Sequence, residues 1–574
     1  MNNEPDSSTK LEPQAYNPDR FAVSGPVVSE TNPAGSPAGA SQPATGKAWL
    51  ILSMLLVGVV LAALDLTVVV SILTTMMYDL DIPLGDLDKG AWIVSAYLLA
   101  YTVTMPFLGR VSDVYGRRTV FLISLMVFVL GSAMVALSTT ELGLGWVIAG
   151  RIVQAIGGGA MVPVSMAVVA DIFPVKRRGL ALGLIGAADT AGWVIGPLYG
   201  SLMLKFMGWH SIFWINVPLG LLSAVLIFLA LRGSKIIARP TAVRPAETVP
   251  AGGLSKLRQL DVMGFLFLGL ALTGINLAFG GGKEATALSG SAFEEVGKNP
   301  LHEYQTPILI GSGVALLIFI IWELFVARRP LLNLRTFRRI PFAAANLANF
   351  MIGAALMVAL VGIALFVNTT DKSSDRVAIA FDVALALAPM TLGMALGAIF
   401  GGWFSDRVGY RMGTVLGLVI AVFGFIMMAK WQVTWQPPDD LVLLLPGAGL
   451  TGLGFGIVIA PVGTAVIDWA DREDIGVSAA LVLILRLVGM TIGLALLLQW
   501  GLGRFRDLTA DAPIDSNYDK VIRGSLAQVI TEMFIASTLI AAAAIIPATF
   551  LRRRPASSQT EEEIQQKREL GRLL

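Results

Sequence analysis

The chain contains no cysteine and only two histidines, His210 and His302, far apart in sequence. Disulfides and thiolate-ligated metals are therefore excluded, and a histidine-based metal or acid–base centre has almost nothing to be built from. No metal and no cofactor is expected. Charge is scarce as well: Asp, Glu, Lys and Arg make up 14% of the residues, against roughly a quarter in an ordinary soluble domain. A formal net charge of +2 gives no basic excess to hold a nucleic-acid backbone, so nucleic acid is not an expected partner. No apolar leader is expected at the start of the chain. Residues 1–46 are polar and rich in Pro, Ser, Ala and Gly, which reads as a disordered tail, and the first long apolar segment is then expected to act as the insertion signal.

Apolar residues take the place of the missing charge, at 55% of the chain and a mean hydropathy of +0.72. They arrive in blocks of about twenty, the length that crosses a bilayer as a helix. Six such blocks fall between Ala48 and Leu231, two more near Val262 to Phe279 and Pro307 to Val326, and six between Pro341 and Leu551. The expectation is an all-α membrane protein with 14 transmembrane helices. Its divisions are a tail over 1–46, a six-helix bundle over 47–231, a linker with two helices over 232–340, a second six-helix bundle over 341–555 and a tail over 556–574. Lys and Arg remain on the cytoplasmic side when loops are short. With the N-terminus inside, 29 of the 42 basic residues fall inside and 11 outside, with Arg151 and Arg486 within spans. Both termini are thus expected in the cytoplasm.

The connection after the second span reads Gly109-Arg110-Val111-Ser112-Asp113-Val114-Tyr115-Gly116-Arg117-Arg118, and that after the tenth reads Gly402-Trp403-Phe404-Ser405-Asp406-Arg407-Val408-Gly409-Tyr410-Arg411. Gly, Ser, Asp, Gly and Arg recur at a constant offset of 293 residues, at the same step of each bundle. The glycines suit a tight turn, and the aspartate suits an arginine or the positive end of a helix. This loop resembles the signature of the major facilitator superfamily, and the second copy its degenerate partner. The resemblance implies two six-helix bundles in the major facilitator fold. It also implies a cytoplasmic latch between them, made by Gly109, Asp113, Gly116, Arg117 and Arg118, with Asp406 and Arg411 in the second copy.

Span five carries Ala191-Gly192-Trp193-Val194-Ile195-Gly196-Pro197-Leu198-Tyr199-Gly200. Gly192, Gly196 and Gly200 recur every fourth residue on one helical face, where small residues let helices approach, and Pro197 can bend the helix. The segment resembles the antiporter motif of the same superfamily. Asp65-Leu66-Thr67-Val68-Val69, Arg151 and the two extra spans resemble the fourteen-span drug:proton antiporter family. The phrases Phe213 to Pro218 and Trp500 to Phe505 are similar to its actinobacterial lipid-exporting branch, which implies lipid cargo and a periplasmic lipid-carrier lipoprotein as partner.

A charge near the bilayer centre costs at least about 2.5 kcal/mol on insertion scales, so each is a functional candidate. Asp65 in span one is the first candidate for proton coupling, because removal from water favours the neutral form of a carboxylate. Asp189 in span five and Arg486 in span thirteen lie at similar depth in equivalent helices. Arg486 requires a partner, and both Asp189 and Asp65 are available; Arg151 can pair with Asp65 or with carbonyls of span one. The lipid-exporter resemblance places a glutamate at the position of Thr190, one residue after Asp189. The connection from Gly501 to Glu532 mixes charge with Leu508, Ile514, Val521, Ile522, Leu526 and Ile530, and either prolongs the last two spans beyond the membrane or forms a solvated loop. Thr560 to Glu563 matches a helix capping box, so a short terminal helix is expected.

The expected function is a proton-coupled exporter of lipids by alternating access in the bacterial inner membrane, acting as a monomer. The alternative is a multidrug efflux antiporter for amphiphilic cations. No nucleophile–base arrangement for an enzyme is visible. If the charge count sets the orientation, cysteines introduced at Ser29 and Ser557 will react only with membrane-permeant reagents in intact cells, and labelling of either from outside would reverse it.

Overall fold

The computed structural model describes residues 46–83, 87–231, 260–279, 304–371, 376–435, 437, 439–510 and 518–553. The two expected tails, over 1–46 and 556–574, and the capping box at Thr560 lie outside them, Gly46 excepted. Without water, each peptide group must bond within its own segment, and long apolar runs therefore become helices. Among the described residues there are fourteen: α1 (Gly46–Asp79), α2 (Leu87–Tyr115), α3 (Arg117–Ala136), α4 (Gly143–Ile172), α5 (Val175–Met207), α6 (His210–Leu231), α7 (Val262–Phe279), α8 (Gln305–Ile321), α9 (Ile340–Thr370), α10 (Arg376–Val408), α11 (Tyr410–Met428), α12 (Leu441–Trp469), α13 (Ile475–Thr509) and α14 (Tyr518–Ala548). No strand occurs among the described residues. Thirteen helices are long and apolar enough to span a membrane, and α5, bent by 49° between Trp193 and Leu198, makes the fourteenth. The bend falls where the sequence carries Pro197.

The two six-helix bundles pair their helices in the same way. In the first, α1 packs on α5, α4 on α2 and α3, and α3 on α6; in the second, α9 packs on α13, α12 on α10 and α11, and α11 on α14. Contact between the bundles runs through α5 against α10 and α12, and through α13 against α2 and α4. The linker helices α7 and α8 pack on each other, and α7 also touches α2 and α13. Their outer faces expose Leu266, Leu270, Ile310, Val314 and Leu317, as helices facing lipid do.

Several helices run past the apolar blocks that announce them. α2 extends through Tyr115, α13 continues from the expected end at Trp500 to Thr509, and α14 begins at Tyr518 rather than near Met533. Of the expected connection over 501–532, only residues 511–517 lie outside the described chain. The 35 residues of α13 measure about 52 Å at 1.5 Å per residue, well beyond a hydrocarbon core of about 30 Å. Arg504 on α13 holds Glu532 on α14 through two hydrogen bonds of 3.0 and 3.3 Å, which joins the prolonged ends.

The turns from α2 to α3 and from α10 to α11 consist of one residue each. Gly116 takes φ +96° and Gly409 φ +106°, a region costly to any residue with a Cβ. Gly116→Ala and Gly409→Ala are each expected to lower unfolding stability by about 1–3 kcal/mol. Gly503→Ala, in ordinary helix with open space around it, is expected to be neutral or stabilising. Thermal unfolding in detergent checks the contrast, and an equal response at all three positions would refute it.

Candidate functional site

The duplicated loops lie at one face of the molecule, where each inserts a carboxylate into the opposite bundle. Asp113, at the end of α2, accepts hydrogen bonds from the backbone N–H of Gly476 (2.9 and 3.0 Å) and Val477 (3.2 Å) at the start of α13. Asp406, its repeat on α10, accepts from Gly179 and Leu180 near the start of α5, both at 2.9 Å. Each carboxylate therefore sits at the positive end of a helix from the other bundle, where the dipole favours it. Glycines let the backbones come this close. A Cβ on Gly109 would lie 2.7 Å from the Gly476 carbonyl oxygen, and one on Gly402 would collide with the backbone of Gly179.

Ion pairs reinforce both crossings. Arg110 donates to Asp474 (2.5 Å) and to the Glu473 carbonyl (3.2 Å), and Arg178 pairs with Asp468 at 2.5 Å. Arg117 is buried against Asp171, the Ala167 carbonyl and Asp113, and Tyr410, which holds the equivalent place in the second copy, donates to Asp468. Arg553 donates to the Ser405 and Asp406 carbonyls at 2.7 and 2.5 Å. Two residues implied as latch members are placed elsewhere. Arg118 lies over the Phe228 ring of its own bundle at 4.9 Å, and Arg411 is exposed. Arg110, Arg178, Asp468 and Asp474 carry the cross-bundle charge pairs instead. They were not singled out because a charged residue near a helix end reads alike in sequence whether it faces solvent or a partner. Tyr410 had a signal, its register with Arg117.

Asp65 stands inside the first bundle. Arg151 Nη1 donates to its Oδ2 at 2.5 Å and Nη2 to its carbonyl at 3.3 Å. Gln154 Nε2 donates to Oδ1 at 2.7 Å and Asn216 Nδ2 to the same oxygen at 3.4 Å. Gln154 also reaches Arg151 (2.8 Å) and Ser132 (2.7 Å), and the guanidinium lies 3.9 Å from the Tyr97 ring centre. One carboxylate thus gathers α1, α2, α3, α4 and α6 around it. Of the two partners left open for Arg151, the carboxylate and a carbonyl of span one are both used.

Asp189 and Arg486 make a different kind of pair. Arg486 Nη2 donates to Asp189 Oδ2 at 3.2 Å, across the gap between the bundles. Their side chains are 11% and 13% exposed, where Asp65 and Arg151 are 1% and 0%. The two residues are 297 apart, and the same offset relates Gly192 to Gly489 and Gly196 to Gly493. Gly192 abuts Ala63 and Leu64 of α1, Gly196 abuts Thr67, and Gly200 abuts Val68 and Ser71. Gly489 and Gly493 likewise abut Phe350 and Ala354 of α9. The expected close approach along one glycine face therefore links α5 to α1, and its repeat links α13 to α9.

Relatives share this plan along most of the chain. A triacylglyceride transporter of Mycolicibacterium hassiacum is 38% identical over 454 residues, covering 78% of each chain. The triacylglyceride transporter of Mycobacterium tuberculosis is 32% identical over 464 residues, 79% of this chain and 82% of the relative. The crystal structure of the human organic anion transporter MFSD10 aligns with a TM-score of 0.51 and 15% identity, over 87% of this chain and 100% of the other, a likeness of fold. The model of the Major Facilitator Superfamily matches residues 55–388 and 347–572. With its fourteen helices, paired bundles and duplicated loop, the chain belongs to the Major Facilitator Superfamily of membrane transporters.

Proposed function

We propose that the chain is a proton-coupled exporter of lipids, such as triacylglycerides or glycolipids, from the bacterial inner membrane. The observation that carries this reading is the identity of 32–38%, over nearly four-fifths of the chain, to transporters named for triacylglyceride. In this reading the latch face is cytoplasmic, both termini lie on that side, and the monomer alternates between inward-open and outward-open states by rocking one bundle against the other. The engaged latch belongs to the outward-open state. The prolonged α13 and α14 then stand on the outer side, where they shield a lipid on its way to a periplasmic carrier lipoprotein. Such a shield has a physical purpose, since apolar surface exposed to water costs roughly 25 cal/mol per Å².

Asp189 and Arg486 are the groups best placed to couple protons to the alternation. They join the bundles, so protonating Asp189 removes an attraction that exists only while these two helices face each other. Asp65 and Arg151 lie within one bundle and move together, and their role is to hold its five helices in one arrangement. Asp189→Asn is therefore expected to retain the fold and lose concentrative, pH-driven transport. Asp65→Asn strands a buried guanidinium, a loss of about 3–5 kcal/mol, and is expected to depress the unfolding temperature as well as transport. Proteoliposomes with an imposed pH gradient, measured beside thermal unfolding, separate the two; full transport by Asp189→Asn would remove it from the coupling site.

A second reading, multidrug efflux, is favoured by the Asp65 to Val69 phrase, Arg151 and the two extra spans, which resemble the fourteen-span drug:proton antiporters. Lipid and cationic dye transport measured in the same liposomes decide between them. Replacing residues 501–532 by a short Gly/Ser linker is expected to abolish lipid export and spare dye efflux. Equal retention of both, or no lipid movement by the unaltered protein, would leave the multidrug reading in place.

A further inference from the structure

The linker helices carry a buried acid that neither ion pair nor latch accounts for. Asp261 caps α7: its Oδ1 accepts from the Gly264 N–H at 2.8 Å, and the Trp322 indole N–H, at 2.9 and 3.1 Å from the two oxygens, also faces it. Glu323 lies on the turn of π-helix over Trp322–Val326 that ends α8, a wider turn often found at functional positions. Its Oε1 accepts from the Leu331 N–H at 3.1 Å. Its Oε2 is buried and has no hydrogen-bond partner among the described residues, while the Leu332 N–H also lies beside the carboxylate. The acids are neighbours: Asp261 Oδ2 and Glu323 Oε1 lie 2.6 and 2.7 Å from the point a Cβ would occupy on Gly264.

Register sets this pair beside the latch. Gly269 of α7 faces Val103 of α2, and the Phe265 and Phe107 rings lie 4.6 Å apart, so the two helices run antiparallel. One further turn brings the start of α7 to the level of Arg110. That guanidinium is engaged with Asp474 and the Glu473 carbonyl through Nη1, while its Nε is buried with no partner among the described residues. Asp261 on α7 and Arg110 on α2 are charges that act on Glu323, and Arg110 itself faces Asp113 as well as Asp474. A carboxylate oxygen and a guanidinium N–H without hydrogen-bond partners thus stand buried beside the same crossing, where Arg110 Nη1 is engaged with Asp474.

We propose that Glu323 is a proton site separate from the membrane-embedded ion pairs, and that it controls the crossing of α2 and α13. With its proton, Glu323 is neutral beside the charged Asp261 and makes no claim on Arg110, which remains on Asp474 and keeps the latch engaged. When the proton leaves to water at the latch face, near the exposed Arg328 and Arg329, two carboxylates meet in a poorly solvated place. Arg110 is then drawn from Asp474 toward Glu323, and the crossing loses its ion pair. The linker in this way conveys the pH of that face to the bundle interface.

The test uses the full chain in lipid nanodiscs. It contains no native cysteine, so a pair introduced at Lys176 and Met412, both exposed and in opposite bundles, carries spin labels without background. Pulsed electron–electron distances are recorded from mildly acidic to mildly alkaline pH. The unaltered chain is expected to gain a long-distance, latch-open population as pH rises, and Glu323→Gln to lose that gain. Asp261→Asn keeps the helix cap but removes the neighbouring negative charge, and is expected to move the midpoint to lower pH. Asp474→Asn is expected to open at every pH. The inference rests on a latch that opens. If no variant opens at any pH, the alternation itself is overturned along with the site. If opening occurs and neither Glu323→Gln nor Asp261→Asn alters its pH dependence, the site alone is overturned. Should Glu323→Gln not fold, the Asp261→Asn midpoint decides, and an unmoved midpoint overturns the proposal.

Discussion

A charge that leaves water must find its opposite inside the protein, and nearly every feature of this molecule follows from that constraint. The bilayer removes solvent as a partner, so a backbone amide, a carboxylate or a guanidinium has to be answered by another group of the chain. Helix formation answers the amides. The carboxylates are answered in two ways, by arginines within a bundle and by helix ends across the interface. Asp113 and Asp406 use the second way, and because the helix they cap belongs to the other bundle, satisfying the carboxylate is the same event as closing that face.

Duplication explains why these answers come in pairs, and departures from it show where chemistry has been placed. The 293-residue offset preserves the capping aspartates and turn glycines, which serve geometry alike in both halves. The 297-residue offset preserves Gly192 with Gly489 and Gly196 with Gly493 but sets Asp189 against Arg486. A symmetric pair of acids at that place would repel; opposite signs convert a repeated position into an attraction between the halves. Arg117 and Tyr410 differ in the same spirit. Both reach an aspartate at the end of the next helix of their bundle, Asp171 on α4 and Asp468 on α12, one as an ion pair and the other as a neutral donor.

The helices, the six-two-six order and the duplicated loop were legible because each rests on a local pattern, an apolar run or a recurring string. Helix ends were less so. An apolar run marks where lipid stops, and α13 continues nine residues past Trp500 with Arg504 and Asp507 in its path because a helix can persist in water when a neighbour such as α14 runs beside it. Asp65, Arg151, Asp189 and Arg486 stood out as charges in apolar surroundings, but their pairing did not follow, since depth in a helix leaves the facing direction open. Gln154 and Ser132 gave no signal, and Asn216 stood only inside the phrase Phe213 to Pro218, with no role attached. Neutral polar residues are common in membrane helices, and only their convergence on Asp65 gives them meaning. Arg118 and Arg411 show the reverse case, in which a recurring string singled out two arginines that lie in the first turns of α3 and α11, one over the Phe228 ring of its own bundle and the other exposed.

The arrangement also bears on which parts are able to move in the proposed alternation. Asp65 binds side chains from α4 and α6 while Arg151 stacks on Tyr97 of α2, so separating these helices would expose charge to a dry interior. The glycine contacts of α5 with Ala63, Leu64 and Thr67 of α1 leave no room for sliding by less than a full turn. Force applied to α5 at Asp189 is therefore passed to α1 beside Asp65 and shared by the whole bundle. The second bundle has the same glycine contacts between α13 and α9, with Gly353 against the Arg486 backbone. Within each half the cost of internal rearrangement is high, and between halves the close packing of α5 on α10 and of α13 on α2 is joined by a few ion pairs and helix caps that water can replace once the face opens. Rigid halves joined by exchangeable polar contacts are what a rocking motion requires, and the charge-in-lipid constraint produces both properties at once.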